Sequence, residues 1–312
     1  MRKSLKALVA GAVLAVSLLF APSTTTEAAE LVQVNPTKNS ITLQWVPQED
    51  ALNYKVYVGT NYDNETLYAT LPATTTTLTL PNLPEGSKYY ISVKYDELCY
   101  DGSTYEYGID SEWFSTLPGK VTNLAQERWY YYALSFNAQW DEMPAADGYE
   151  YIIKTSKGKL VDSGDISWNQ VSCTGISNQK IYTVQVRAYN TINGQKYYGE
   201  WSDKGYFFTQ PRIKTLKKSG KKITVKWGKV DGATGYDIYI STKPKTGYKK
   251  VKSVKANKTS YTIKKIGKKK LSSKKKYYVY VATVKKVGNR RYDSGKLYYW
   301  NTKQGPSSSG YF

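Results

Sequence analysis

Eight lysines crowd thirteen residues near the C-terminus: Lys264, Lys265, Lys268, Lys269, Lys270, Lys274, Lys275 and Lys276. Ammonium groups at this density repel one another and draw in anions. Against a polymeric anion they also release its condensed counterions, which makes such binding fall steeply with salt. Anion binding is the first chemistry that this sequence offers. Lysine far outnumbers arginine and lacks the planar fork that reads base edges, so a nucleic acid would be held by charge alone. A lysine-coated strand also has a plainer use, since it keeps an exposed sheet soluble and blocks edge-to-edge pairing.

Catalytic chemistry finds little to work with. The 312 residues include no histidine, which removes histidine-based triads, Cys–His nucleophile pairs and histidine-ligated zinc. Cys99 and Cys173 are too few for a tetrathiolate site and fall in different parts of the chain, so two free, mostly buried thiols are expected. Three neighbouring carboxylate pairs are Glu49–Asp50, Asp96–Glu97 and Asp141–Glu142. Adjacent residues on a strand point to opposite faces, so such pairs do not flank a glycosidic bond. No calcium-loop spacing occurs either. The expectation is no enzyme, no catalytic residue, no metal and no cofactor.

A second kind of contact could come from Trp129, Tyr130, Tyr131 and Tyr132. Four consecutive aromatics in a strand display two on each face, leaving one pair partly exposed to pack on a neighbouring domain or stack on a sugar ring.

The elements that position these groups are revealed by self-comparison. Ile41-Thr42-Leu43-Gln44-Trp45, Phe136-Asn137-Ala138-Gln139-Trp140 and Ile223-Thr224-Val225-Lys226-Trp227 all alternate apolar and polar and end on tryptophan. That period of two marks a half-buried strand. Tyr54, Tyr149 and Tyr236 each lie nine residues after their tryptophan and open a further strand. Downstream, Tyr89-x-Ile91-x-Val93, Tyr182-x-Val184-x-Val186 and Tyr277-x-Val279-x-Val281 repeat a third pattern. Short strands at matched spacing, separated by turn residues, indicate all-β sandwiches. The middle copy departs most, where Ser172-Cys173-Thr174-Gly175 replaces the plain alternation of Leu78-Thr79-Leu80 and Tyr261-Thr262-Ile263.

These segments resemble fibronectin type III domains, antiparallel immunoglobulin-like β-sandwiches of which three stand here in tandem. The resemblance implies that Trp45, Trp140 and Trp227 are core residues of strand B. It makes Tyr89, Tyr182 and Tyr277 tyrosine-corner residues, with buried rings and hydroxyls bonded to nearby backbone. Residues 219–242 look like the lysine-rich type III modules of Gram-positive surface proteins. Type III modules often bind partners through the hairpin between strands F and G, which makes those loops candidates for protein contacts.

The expected divisions follow. Residues 1–29 read as a signal peptide, with Arg2, Lys3 and Lys6 before an apolar stretch from Ala7 to Phe20 and small residues at Thr26 and Ala28. Three type III-like domains follow at 30–117, 118–209 and 210–303, joined by short proline-containing linkers, and 304–312 reads as a flexible tail. No transmembrane segment is expected in the mature chain. The net charge of +20 is unevenly spread: the first domain has 4 basic and 12 acidic residues, the second 9 of each. From residue 210 onwards there are 29 basic and 3 acidic residues. The expected product is a secreted, non-catalytic binding or adhesion protein, associated with the cell wall without a covalent anchor. Its basic third domain would contact an anionic envelope polymer or acidic glycan. The alternative is a structural rod assembling head to tail through its acidic first and basic third domains.

Overall fold

The computed structural model describes residues 31–127, 135–209, 211–296 and 309–311. The expected signal peptide, the aromatic run Trp129–Tyr132 and most of the expected tail lie outside the described residues. Within them the protein is all-β, three antiparallel sandwiches built to one plan.

The first sandwich contains β1 (Leu31–Val34), β2 (Ile41–Trp45), β3 (Ala51–Gly59), β4 (Thr66–Pro72), β5 (Thr77–Leu80), β6 (Lys88–Leu98) and β7 (Thr104–Ser115). Sheet β1-β2-β5 faces sheet β4-β3-β6-β7. The second contains β8 (Ala125–Glu127), β9 (Phe136–Gln139), β10 (Gly148–Thr155), β11 (Leu160–Ile166), β12 (Gln170–Cys173), β13 (Ile181–Ile192), β14 (Gln195–Tyr198) and β15 (Gly205–Phe208). Its sheets are β8-β9-β12 and β11-β10-β13-β14, with β15 also on β13. The third contains β16 (Ile213–Ser219), β17 (Lys222–Trp227), β18 (Gly235–Ser241), β19 (Lys249–Lys255), β20 (Ser260–Ile263), β21 (Lys265–Ile266), β22 (Lys269–Lys270), β23 (Tyr278–Val287), β24 (Arg290–Asp293) and β25 (Ser309–Tyr311). It repeats the order as β16-β17-β20 and β19-β18-β23-β24.

Alternation builds each core. Ile41, Leu43 and Trp45 on β2 point inward against Tyr54, Val56, Ile91 and Val93, and Ile223, Val225 and Trp227 do the same on β17. Burying each such aliphatic side chain contributes about 1.5–3 kcal/mol relative to exposure. The tryptophan–tyrosine spacing has a physical reason. Tyr54, Tyr149 and Tyr236 pack edge-on to Trp45, Trp140 and Trp227, at ring separations of 5.6, 5.3 and 5.5 Å. Each tyrosine hydroxyl accepts the N–H of the residue three after the tryptophan: Gln48, Met143 and Val230, at 2.8, 2.8 and 2.7 Å. One side chain thus fills the core and ties down the loop above it.

The tyrosine corners differ. Ser177 and Ser272 donate their N–H groups to the hydroxyls of Tyr182 and Tyr277, at 3.0 and 2.8 Å. The residue five before Tyr89 is Pro84, which has no N–H to give. Tyr89 is correspondingly half-buried, and the Pro84 carbonyl instead accepts from the Thr116 hydroxyl at 2.8 Å. In the middle copy the strand starts before the irregular segment and ends inside it: β12 pairs with β9 and buries Val171 and Cys173, while Thr174 and Gly175 lie beyond its end. Burial pushes the Cys173 thiol up to about 11, while Cys99 is half-buried, and both are free.

Part of the expected tail is described and forms a short strand. Ser309–Tyr311 pair with Tyr280–Tyr278 on β23, as Gly205–Tyr206 pair with Val184–Thr183 on β13. The reason is legible in sequence: Gly310-Tyr311 repeats Gly205-Tyr206, and β24 leaves that part of β23 unpaired.

Successive sandwiches meet at hydrogen-bonded joints, the second of which also has an apolar part. Asn190 Nδ2 donates to Ser115 Oγ and the Thr116 carbonyl at 2.9 and 3.0 Å, and Asn193 Nδ2 to the Gln33 carbonyl at 2.7 Å. At the second joint Lys180 and Asp231 form a parallel bridge, and Asp231 N–H donates to the Gln179 carbonyl at 2.8 Å. Ile181 is buried within the third core.

Candidate anion-binding surface

Between the end of β5 and Tyr89 the first sandwich has eight residues, and between β12 and Tyr182 the second also has eight. The third has thirteen between β20 and Tyr277. The eight predicted lysines all fall within this enlarged turn, and all are exposed. The additional length forms a small hairpin in which β21 pairs with β22, Lys265 opposite Lys270 and Ile266 opposite Lys269. Gly267 turns the chain at φ +58°, a left-handed conformation that glycine adopts without penalty.

The hairpin is anchored from beneath. Ile266 is half-buried against the third core and Leu271 is buried in it. Leu271 N–H donates to the Lys264 carbonyl at 3.2 Å. The Tyr277 hydroxyl holds Ser272, and Lys218 Nζ donates to the carbonyls of Ser273 and Lys275 at 2.6 and 2.7 Å. Lys264, Lys265 and Lys268–Lys270 thus ride on the hairpin, and Lys274, Lys275 and Lys276 on the tyrosine-corner turn. Sequence reasoning placed these residues in one loop but missed the hairpin, whose signal was the unequal spacing before the three tyrosines.

The lysines extend onto the adjoining sheet. Lys222 and Lys226 are exposed on β17, beside exposed Lys217 on β16. Positions one and five before the tryptophan are Gln44 and Ser40 in the first sandwich, Gln139 and Ser135 in the second. Only the third has lysine at both. Among the described residues, none of the eight loop lysines pairs with a carboxylate, and the acids that could neutralise them are already engaged. Asp237, with a side chain 2% exposed, holds Arg291 at 2.7 Å and Lys250 at 3.4 Å. Asp293 contacts the same arginine at 3.4 Å, and Asp231 pairs with Lys157 at 3.3 Å.

Two of the acidic pairs have acids held by separate partners. Asp96 accepts from Lys55 Nζ at 2.8 Å and Asn53 Nδ2 at 2.9 Å, which holds its carboxyl below the usual carboxylate range, whereas Glu97 lies opposite Tyr105 on the next strand. Asp141 accepts from Thr122 and Asn123 at 2.7 and 2.6 Å. Among the described residues no cluster of Cys, Asp and Glu could hold a metal ion, and no helix is long and apolar enough to cross a membrane.

Residues 27–104 match the family model of the fibronectin type III domain. No curated protein matches the chain in sequence. Among solved structures, the chain is similar to the chicken CNTN1 FN1-FN3 domains, at 14% identity over 84% of this chain and 96% of that one, with a TM-score of 0.27. It is also similar to a two-domain fibronectin type III segment of chicken tenascin, at 15% identity over 57% and 97%, with a TM-score of 0.33. Domains of this type are commonly non-catalytic binding and adhesion modules. The match falls on the first sandwich, and the second and third sandwiches repeat its strand order.

Proposed function

We propose that the protein is an exported binding protein that attaches to anionic polymers of a cell envelope through the lysine surface of its third sandwich. One observation carries this reading: eight exposed, unneutralised lysines stand on an anchored insertion that the other two sandwiches lack. Solubility alone requires charge spread over a surface, and does not call for a five-residue insertion to concentrate it at one end. Export is supported by the basic, apolar and small-residue order of residues 1–29. It predicts a mature chain beginning after Ala28 or Ala29.

The test is a titration of the full chain with wall teichoic acid, and with random-sequence duplex DNA as a second phosphate polymer, over a range of salt. If about six phosphates are neutralised, affinity should fall about 10³-fold between about 50 and 200 mM salt. Salt-insensitive binding, or none at the lowest salt, contradicts the reading. A second reading is assembly end to end through the acidic first and basic third domains, supported by the polarity of the two joints within the chain.

A further inference from the structure

Both internal joints bring together the same two kinds of end. The preceding sandwich offers the turn before its corner tyrosine, and the following one offers the loop after its core tryptophan. At the first joint Lys88, immediately before Tyr89, lies 3.8 Å from Asp147, seven residues after Trp140. Lys38 reaches Glu200 across the same joint at 2.8 Å. At the second joint Lys180, two residues before Tyr182, is bridged to Asp231, four residues after Trp227, and Lys157 contacts that carboxylate. Among the described residues, three of the four ion pairs across the joints run from a cation on the preceding sandwich to an acid on the following one. Arg290–Asp203, at 3.6 Å, runs the other way.

The two outer ends carry the same parts. Glu49 and Asp50, four and five residues after Trp45, are exposed in the loop between β2 and β3. Beside them stand Val46, 46% exposed, and Leu52, 51% exposed. At the opposite end Lys275 and Lys276 occupy the two positions before Tyr277, those of Lys180 in the second sandwich and Lys88 in the first. We infer that the loop after Trp45 in one copy docks on the lysine turn before Tyr277 in a second copy. Glu49 and Asp50 face Lys275 and Lys276 in that contact, which repeats the polarity of the internal joints. It is heterologous and does not close on itself, so it extends the tandem into a filament. Charge complementarity sets its direction and rate, and covering Val46 and Leu52 adds apolar burial. The inference rests on the assembly reading and does not require a polymer to be bound.

Sedimentation velocity of the full chain at about 50 mM salt, where exposed charges are weakly screened, provides the test. Wild-type protein should grow with concentration into species larger than dimers. The E49Q/D50N chain and the K274Q/K275Q/K276Q chain should each self-associate at least about tenfold more weakly. A one-to-one mixture of the two retains one good pair of ends and should stop at dimers. Wild-type protein that stays monomeric overturns assembly itself. Growth that E49Q/D50N leaves unchanged, or a mixture without dimers, overturns the docking surfaces named here. Retention of E49Q/D50N on a phosphate polymer is measured alongside: its loss in wild type as well, with assembly intact, would defeat the polymer reading and leave this one supported.

Discussion

The first and third sandwiches share a frame and differ in almost everything laid over it. Both bury a tryptophan against a tyrosine nine residues on, at ring separations of 5.6 and 5.5 Å, and both pair threonines across the outer sheet, Thr42 with Thr79 and Thr224 with Thr262. Yet the first is acidic and pairs Lys55 and Lys94, two of its four lysines, with its own carboxylates. Lys55 contacts Asp96 and Glu106, and Lys94 contacts Glu106, at 2.8–3.2 Å on the outer face of the larger sheet. The third carries lysine at outward positions where the first has serine and glutamine, and adds five residues to one turn. Inward positions determine the sandwich, outward positions and turn length determine its surface chemistry, and the two vary independently.

If the frame is common, damage to it should cost the same in both. Trp45→Ala and Trp227→Ala should each destabilise their own sandwich by about 3–5 kcal/mol, read as loss of one transition in urea unfolding of the full chain. A cost confined to one sandwich would break the comparison. The corner tyrosines sharpen it: Tyr277→Phe should cost about 1 kcal/mol through the lost bond to Ser272. Tyr89→Phe should cost close to nothing, because Pro84 offers no donor. Equal losses would mean that the hydroxyl of Tyr89 does more than its geometry indicates. A smaller effect separates the two ends by acid. Asp96 titrates lower in the folded protein than unfolded, so its contribution is present above the ordinary aspartate range, near pH 4, and is lost as pH falls through the folded value. The unfolding midpoint of the first sandwich should drop between about pH 5 and 3. Asp96→Asn should flatten that slope, and an unchanged slope would remove the pairing with Lys55 from the account.

The frame was legible because it is periodic. Alternation toward Trp45, Trp140 and Trp227, and equal spacing to the next tyrosine, follow directly from strand geometry and core packing. Features that depend on a single residue or on insertion length were harder to read. Pro84 silences one corner bond without disturbing the pattern around it. β12 was hard to delimit because its pattern begins at Gln170, before the irregular Ser172–Gly175 segment. The lysine run announced its charge but not its hairpin, since Ile266 and Leu271 look like isolated apolar residues until the core beneath them is known. The joints were least legible of all, because Asn190 and Asn193 act on residues more than seventy positions away.

The central claim is that the enlarged turn of the third sandwich binds polyanions. Glutamine at all eight of its lysines leaves Ile266, Gly267, Leu271 and Tyr277 in place, so the sandwich should still unfold cooperatively at its usual midpoint. Binding of the full-length variant to teichoic acid at about 50 mM salt should weaken by at least about 10²-fold, with a shallower dependence on salt. Unchanged affinity and slope, with the fold intact, would contradict the account.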